Sequence, residues 1–151
     1  MANAPVFARL LPLEAGQVKL LGFVGDIAPW QLGATFTSTK TANERPDMVK
    51  RYIRAFIKGV HDYHDAFTGP DEKRQDTATA PEILGIIGKY VPQSPDQLKR
   101  AIPYFDREAR LDFKDIKHQI AWYKSQGMLK DAVTGDEIID TRYAVPLPSQ
   151  N

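Results

Sequence analysis

The chain has 151 residues and a mass of 17.0 kDa, with 42% hydrophobic and 26% charged residues. That is the composition of a globular chain long enough to bury one core, and it excludes disordered and fibrous classes. Its 20 basic and 19 acidic residues leave a net charge of +1, so no global field attracts nucleic acid or an anionic membrane, and the lack of cysteine removes disulfides, thiolate metal sites and cysteine nucleophiles.

Ala4 to Leu13 place Val6, Phe7, Leu10 and Leu11 at helical spacing behind Pro5, which predicts a short first helix. No cation precedes Arg9 and no long apolar run follows, so this end does not read as a secretory signal. Val18 to Val24 has the length and apolar content of a buried strand, closed by Gly25 and Asp26. It is interrupted by Lys19 and Gly22 and falls far short of the ~20 residues of a membrane-spanning helix. Ile27 to Leu32 carries Pro29 and Trp30 in a connection, and the β-branched content of Gly33 to Thr39 predicts a second strand.

Pro46 to Phe67 carries the strongest pattern. Val49, Ile53, Phe56, Val60, Tyr63 and Phe67 recur at spacings of four and three, with Lys50, Arg51, Arg54, Lys58, Asp62 and Asp65 on the opposite arc. This predicts a long amphipathic helix with Ile53, Phe56 and Val60 buried. Pro46 and Asp47 suit its first turn, and Gly69-Pro70 ends it. Asp71 to Ala80 is polar without an apolar anchor and reads as a solvated, mobile loop. A short helix over Pro81 to Tyr90 follows, and Ser94-Pro95-Asp96-Gln97 reads as the capped start of a helix to about Ile102. Another helix begins at Asp112, carries Ile116, Ile120 and Tyr123 in its stripe and stops at Gly127. Val145-Pro146-Leu147-Pro148 cannot be helical. Two strands make no independently stable sheet.

Residues that could carry chemistry each have a plainer reading. His61 and His64 are close enough on one helix to share a metal, yet His64 lies at the margin of the apolar stripe and His61 on the polar arc. A core-edge histidine beside a solvated one fits better, and no metal site is expected. Ser38, Ser94, Ser125 and Ser149 sit in no nucleophile elbow, and Gly16, Gly22, Gly25 and Gly33 form no phosphate-cradling motif. The basic arc Lys50, Arg51, Arg54 and Lys58 reads as a solvated helix face. Trp30, beside Pro29 and Gln31, suits either the lining of a ligand cleft or core packing. Trp122 is expected to cover other helices.

Three stretches together carry a resemblance. They are Pro29-Trp30-Gln31-Leu32-Gly33 with Thr35 to Ser38, Arg45 to Phe56, and Leu111-Asp112-Phe113 with Gln119 to Met128 and Ile139 to Tyr143. In order, they resemble the C-terminal half of bacterial ABC-transporter substrate-binding proteins of the NMT1/THI5-like, taurine/sulfonate/nitrate-binding group. The resemblance spans nearly the whole chain through an ordered series, with no single diagnostic motif. It implies an α/β fold, the predominantly helical C-terminal portion of a two-lobed, type II periplasmic-binding-protein-like architecture with few strands. Residues 1–28 are then a helix and strand of the second lobe, and 29–151 the C-terminal part of the first lobe. The signal peptide, the first lobe's opening strands and most ligand-contacting loops of the family have no counterpart in the chain.

The function so implied is capture of a small organic or anionic solute in the periplasm for delivery to an ABC permease. No catalysis, cofactor or nucleic-acid partner is implied. Trp30, Gln31 and Asp26 are the candidate ligand-binding residues. Self-association is expected, most simply as a homodimer with Phe36 and the stripe around Phe56 near the contact. The alternatives are a small helical interaction module or truncated paralogue without a transport role and, further off, a metal- or phosphate-using enzyme.

Overall fold

The computed structural model describes residues 15–19, 21, 27, 30–91, 93–100 and 102–148. Its helices are α1 Thr39–Glu44, α2 Pro46–Phe67, α3 Ala80–Ile87, α4 Pro95–Arg100, α5 Phe113–Ser125 and α6 Gly135–Ile138. Among the described residues there is no strand, only two isolated β-bridges, Thr68 to Arg74 and Leu111 to Pro146. The fold is therefore mostly helical. The strand expected over Gly33 to Thr39 is not formed: an extended segment needs a ladder partner, and here Ser38 instead caps a helix, its Oγ accepting from the Thr41 N–H at 3.1 Å. The first predicted helix lies outside the described residues, as does most of the strand expected at Val18 to Val24; Val18, Lys19 and Leu21, which are described, are not in a strand.

The chain divides into two units. One is built around Gly59–Arg107, and the other joins Phe23–Lys58 to Glu108–Asn151. The long helix α2 contributes to both, its residues through Lys58 to one and those from Gly59 to the other.

In the Gly59–Arg107 unit the core forms where the end of α2 meets α3. Ala66, Phe67 and Ala80 are fully buried, and Tyr63, Ile83, Leu84, Ile87 and Ile102 pack against them. Phe67, only 1% exposed, takes the Tyr63 ring edge-on at 5.0 Å and the Arg74 guanidinium over its face at 5.0 Å. Leu98 of α4 is also buried, beside Gly88. The predicted cap of α4 is present in both directions, with the Gln97 N–H donating to Ser94 Oγ at 3.3 Å and the Ser94 N–H to Gln97 Oε1 at 3.1 Å.

The polar stretch after α2 is mostly exposed, but it ends at Thr79, since Ala80 is buried and opens α3, and it is not the free loop its composition suggests. The last carbonyls of α2 lack intrahelical partners, and the chain turns back to supply them. The Gln75 N–H donates to the Phe67 carbonyl at 3.0 Å and the Thr77 N–H to the Ala66 carbonyl at 2.9 Å. Backbone pairing is invisible to a reading of side-chain polarity.

In the other unit, Ala42, Val49 and Ile120 are buried. Asp112 caps α5 by accepting from the Asp115 N–H at 2.9 Å. The helix ends in a Schellman arrangement, with the Met128 N–H donating to the Tyr123 carbonyl at 2.9 Å and the Gly127 N–H to the Lys124 carbonyl at 2.8 Å, while Gly127 takes φ +67°. The helix α6 carries a capping box between Thr134 and Glu137. The tail is non-helical as expected. The Leu111 N–H donates to the Val145 carbonyl and the Leu147 N–H to the Leu111 carbonyl, both at 2.9 Å.

The burial expected along α2 is only partly met. Val60 is buried, but Ile53 and Phe56 are half-buried. A helix of 22 residues runs about 33 Å, and the fully buried cluster sits at its C-terminal end. Amphipathicity names the face turned inward without saying how far along the helix the cover extends.

Candidate functional site

The segment before α1 holds two of the three ligand-binding candidates, and the start of α5 fixes them. Asp115 lies in the first turn of α5, and its Oδ2 accepts both from the Gln31 N–H at 2.7 Å and from Gln119 Nε2 at 2.7 Å. Gln119 Nε2 also donates to the Gln31 carbonyl at 3.1 Å. In the other direction, Gln31 Oε1 accepts from the Asp112 N–H at 2.9 Å, and its Nε2 donates to the Gly33 carbonyl at 2.6 Å. Asp112 and Asp115 satisfy amides at the positive end of a helix dipole, where carboxylates are favoured.

Every polar group of Gln31, backbone and side chain, is thus engaged within the chain. Gln31 acts as a staple that holds an extended segment against α5. Beside it Trp30 is 51% exposed and presents part of its indole to solvent. Asp26 lies outside the described residues. The staple partners Asp112, Asp115 and Gln119 were legible only as helix residues, because a contact across more than 80 positions of sequence leaves no periodic signal.

A second polar cluster forms in the Gly59–Arg107 unit around His64, which is 6% exposed. His64 Nε2 lies 3.1 Å from Glu72 Oε2, and the same oxygen accepts from the Tyr104 hydroxyl at 2.9 Å. His64 Nδ1 stands 3.5 Å from Asp65 Oδ1, an ion-pair distance without hydrogen-bond alignment, and it has no hydrogen-bond partner among the described residues. Arg107 grips Asp65 with two parallel bonds of 2.9 and 3.0 Å.

The His64 bond, with help from the Tyr104 hydroxyl, holds the Glu72 carboxyl below the usual carboxylate range; the Arg107 bond does the same for Asp65. Nearby, burial pushes the Tyr63 phenol well above its ordinary value while its hydroxyl donates to the Pro103 carbonyl at 2.8 Å. Glu72 sits at φ +60°, a left-handed conformation costing a non-glycine residue of order 1 kcal/mol. Its two side-chain bonds help hold it there.

This cluster is poorly placed for catalysis. One imidazole nitrogen is engaged by Glu72, and the other is buried away from solvent. It reads as a pin that fastens the turn after α2 onto the helix. His64 was expected at the core edge, and it is buried there; Glu72, Tyr104 and Arg107 come from non-periodic segments that gave no signal. Ser38 and Ser94 cap helices, and the Ser125 hydroxyl donates to the Trp122 carbonyl at 2.7 Å. Among the described residues, no group of three or more His, Cys, Asp or Glu is placed to hold a metal ion, and no helix is long and apolar enough to cross a membrane. Trp122, expected to cover other helices, is half-exposed and stacks edge-on with Tyr123 at 5.1 Å. Comparison with family models, with curated proteins and with solved structures finds no match to the chain.

Proposed function

We propose that the chain is a solute-binding component of an ABC importer, the C-terminal part of a two-lobed type II receptor. It captures a small organic or anionic solute in the periplasm for a membrane permease and catalyses no reaction. The observation that carries this reading is the Trp30 segment: an anchored strap offers half an indole to solvent, and anchoring lowers the ordering cost of closing on a ligand. The ordered resemblance over the same strap, α2 and α5 supports it. In this reading Trp30 packs on the solute, Gln31 positions Trp30, and Asp26 adds a polar contact. Phe36, 94% exposed, supports self-association through its segment.

The lack of strands among the described residues favours a second reading, a small helical interaction module. One experiment separates the two. Nitrate, taurine, alkanesulfonates and pyrimidine precursors are titrated against the chain while thermal unfolding and Trp30 emission are followed in a Trp122→Phe background. A ligand raises Tm with the logarithm of its concentration and perturbs Trp30, and Trp30→Ala abolishes the shift. No shift with any of these solutes overturns the receptor reading. Sedimentation equilibrium tests self-association, and a 17.0 kDa monomer at high concentration refutes it.

A further inference from the structure

The part of α2 between Met48 and Lys58 is buried on one side only. Val49 is buried and Ile53, Phe56 and Ile57 are half-buried, whereas Met48, Lys50, Arg51, Tyr52, Arg54, Ala55 and Lys58 are exposed. At 100° per residue the exposed half divides in two. Met48, Tyr52 and Ala55, spaced by four and three, form a narrow seam in which Met48 is 40% and Tyr52 57% exposed. Arg51 and Lys58, seven apart, run along one edge of this seam, and Arg54 and Lys50 lie beyond them. The other edge is the helix's own inward face.

Like Lys40, Arg45, Lys89, Lys114 and Lys130, these four cations lack a side-chain partner among the described residues, and they are gathered on one short stretch of helix. Arg74 and Lys99 are paired with Asp76, Arg107 with Asp65, Lys117 with Asp136, and Arg142 with Asp140. Lys50, Arg51, Arg54 and Lys58 have no side-chain hydrogen bond or ion pair among the described residues.

We infer that this face of α2 docks an amphipathic acidic helix of a partner protein, which sets an apolar stripe on Met48, Tyr52 and Ala55 and carboxylates against Arg51 and Lys58. Spacings of four and three are those on which one helix beds onto another, and charges flanking such a seam select the partner. A second copy of the chain fits badly, because twofold pairing through this face sets Arg51 and Lys58 against their own counterparts. A long phosphate chain fits less well than a helix. The cationic row is only about two turns long, with Asp47 before it and Asp62 after it, and the net charge is +1.

The test uses the full chain and three probes. One is a synthetic helical peptide with leucine on its seam and glutamate at the flanking positions; the second is the same peptide with lysine for glutamate; the third is phosphatidylglycerol vesicles. Fluorescence anisotropy is expected to show binding of the glutamate peptide, weakened severalfold between about 50 and 200 mM salt, and at least about tenfold weaker binding of the lysine peptide. R51E/K58E is expected to reverse that preference. R51A/K58A, which introduces no new charge, is expected to weaken the glutamate peptide alone, with an unchanged thermal melt showing that the fold is intact. Equal binding of both peptides, binding of neither, or indifference to R51E/K58E overturns the inference. Binding of vesicles without the glutamate peptide overturns it in favour of a membrane surface.

Discussion

Replacing Asp115 by alanine tests whether the Trp30 segment is held as described. The substitution removes one oxygen that accepts two N–H groups, from Gln31 and from Gln119, each at 2.7 Å. A hydrogen bond to a charged group contributes about 1.5–3 kcal/mol, with the lower half of that range fitting a partly buried site that water can reach. Loss of an acidic residue from the first turn of α5 adds about 0.3–1 kcal/mol. With two such bonds lost, the expected cost of Asp115→Ala is therefore about 3–5 kcal/mol. Asp115→Asn keeps an acceptor oxygen and gives up only the charge, so about 1 kcal/mol is expected. The assay is urea unfolding read by Trp30 emission in the Trp122→Phe background, with far-UV circular dichroism alongside. Released from α5, Trp30 should also emit further to the red in the native baseline. If Asp115→Ala unfolds within about 0.5 kcal/mol of its parent with unchanged emission, the staple carries no load and the basis for placing a ligand at Trp30 fails.

Three further outcomes are expected. Phe67→Ala empties a site that is 1% exposed and should cost about 3–5 kcal/mol in denaturant unfolding, more than Phe56→Ala, whose side chain is half-buried. Gly127→Ala should cost about 1–2 kcal/mol, from the positive φ alone, because a Cβ there meets nothing within 4 Å; Gly127→Asn should cost less. Asp65 and Glu72 have folded-state pKa values below their unfolded ones, so the stability they contribute is present above the ordinary carboxylate range and is lost as pH falls through the depressed values. Thermal melts across that acid range should fall less steeply for Asp65→Asn/Glu72→Gln than for the parent.

Local chemistry was legible where it is written within a few residues. The helix Pro46–Phe67, the cap at Ser94, the start at Asp112 and the stop at Gly127 each follow from side chains that meet their own backbone or recur at one helical period. The α6 cap between Thr134 and Glu137 was equally local and could have been read the same way. Tertiary structure decided the rest. Gly33 to Thr39 has strand-forming residues but no strand, because a strand exists only with a partner. The polar stretch after α2 is pinned because the orphan carbonyls of Ala66 and Phe67 recruit it. Gln31, chosen as a ligand contact for its amide, has that amide engaged by Asp112 and Gly33, and His64 meets Glu72 and Tyr104 from segments with no period at all. Long-range pairing depends on where the chain returns in space, and one-dimensional spacing does not carry that information.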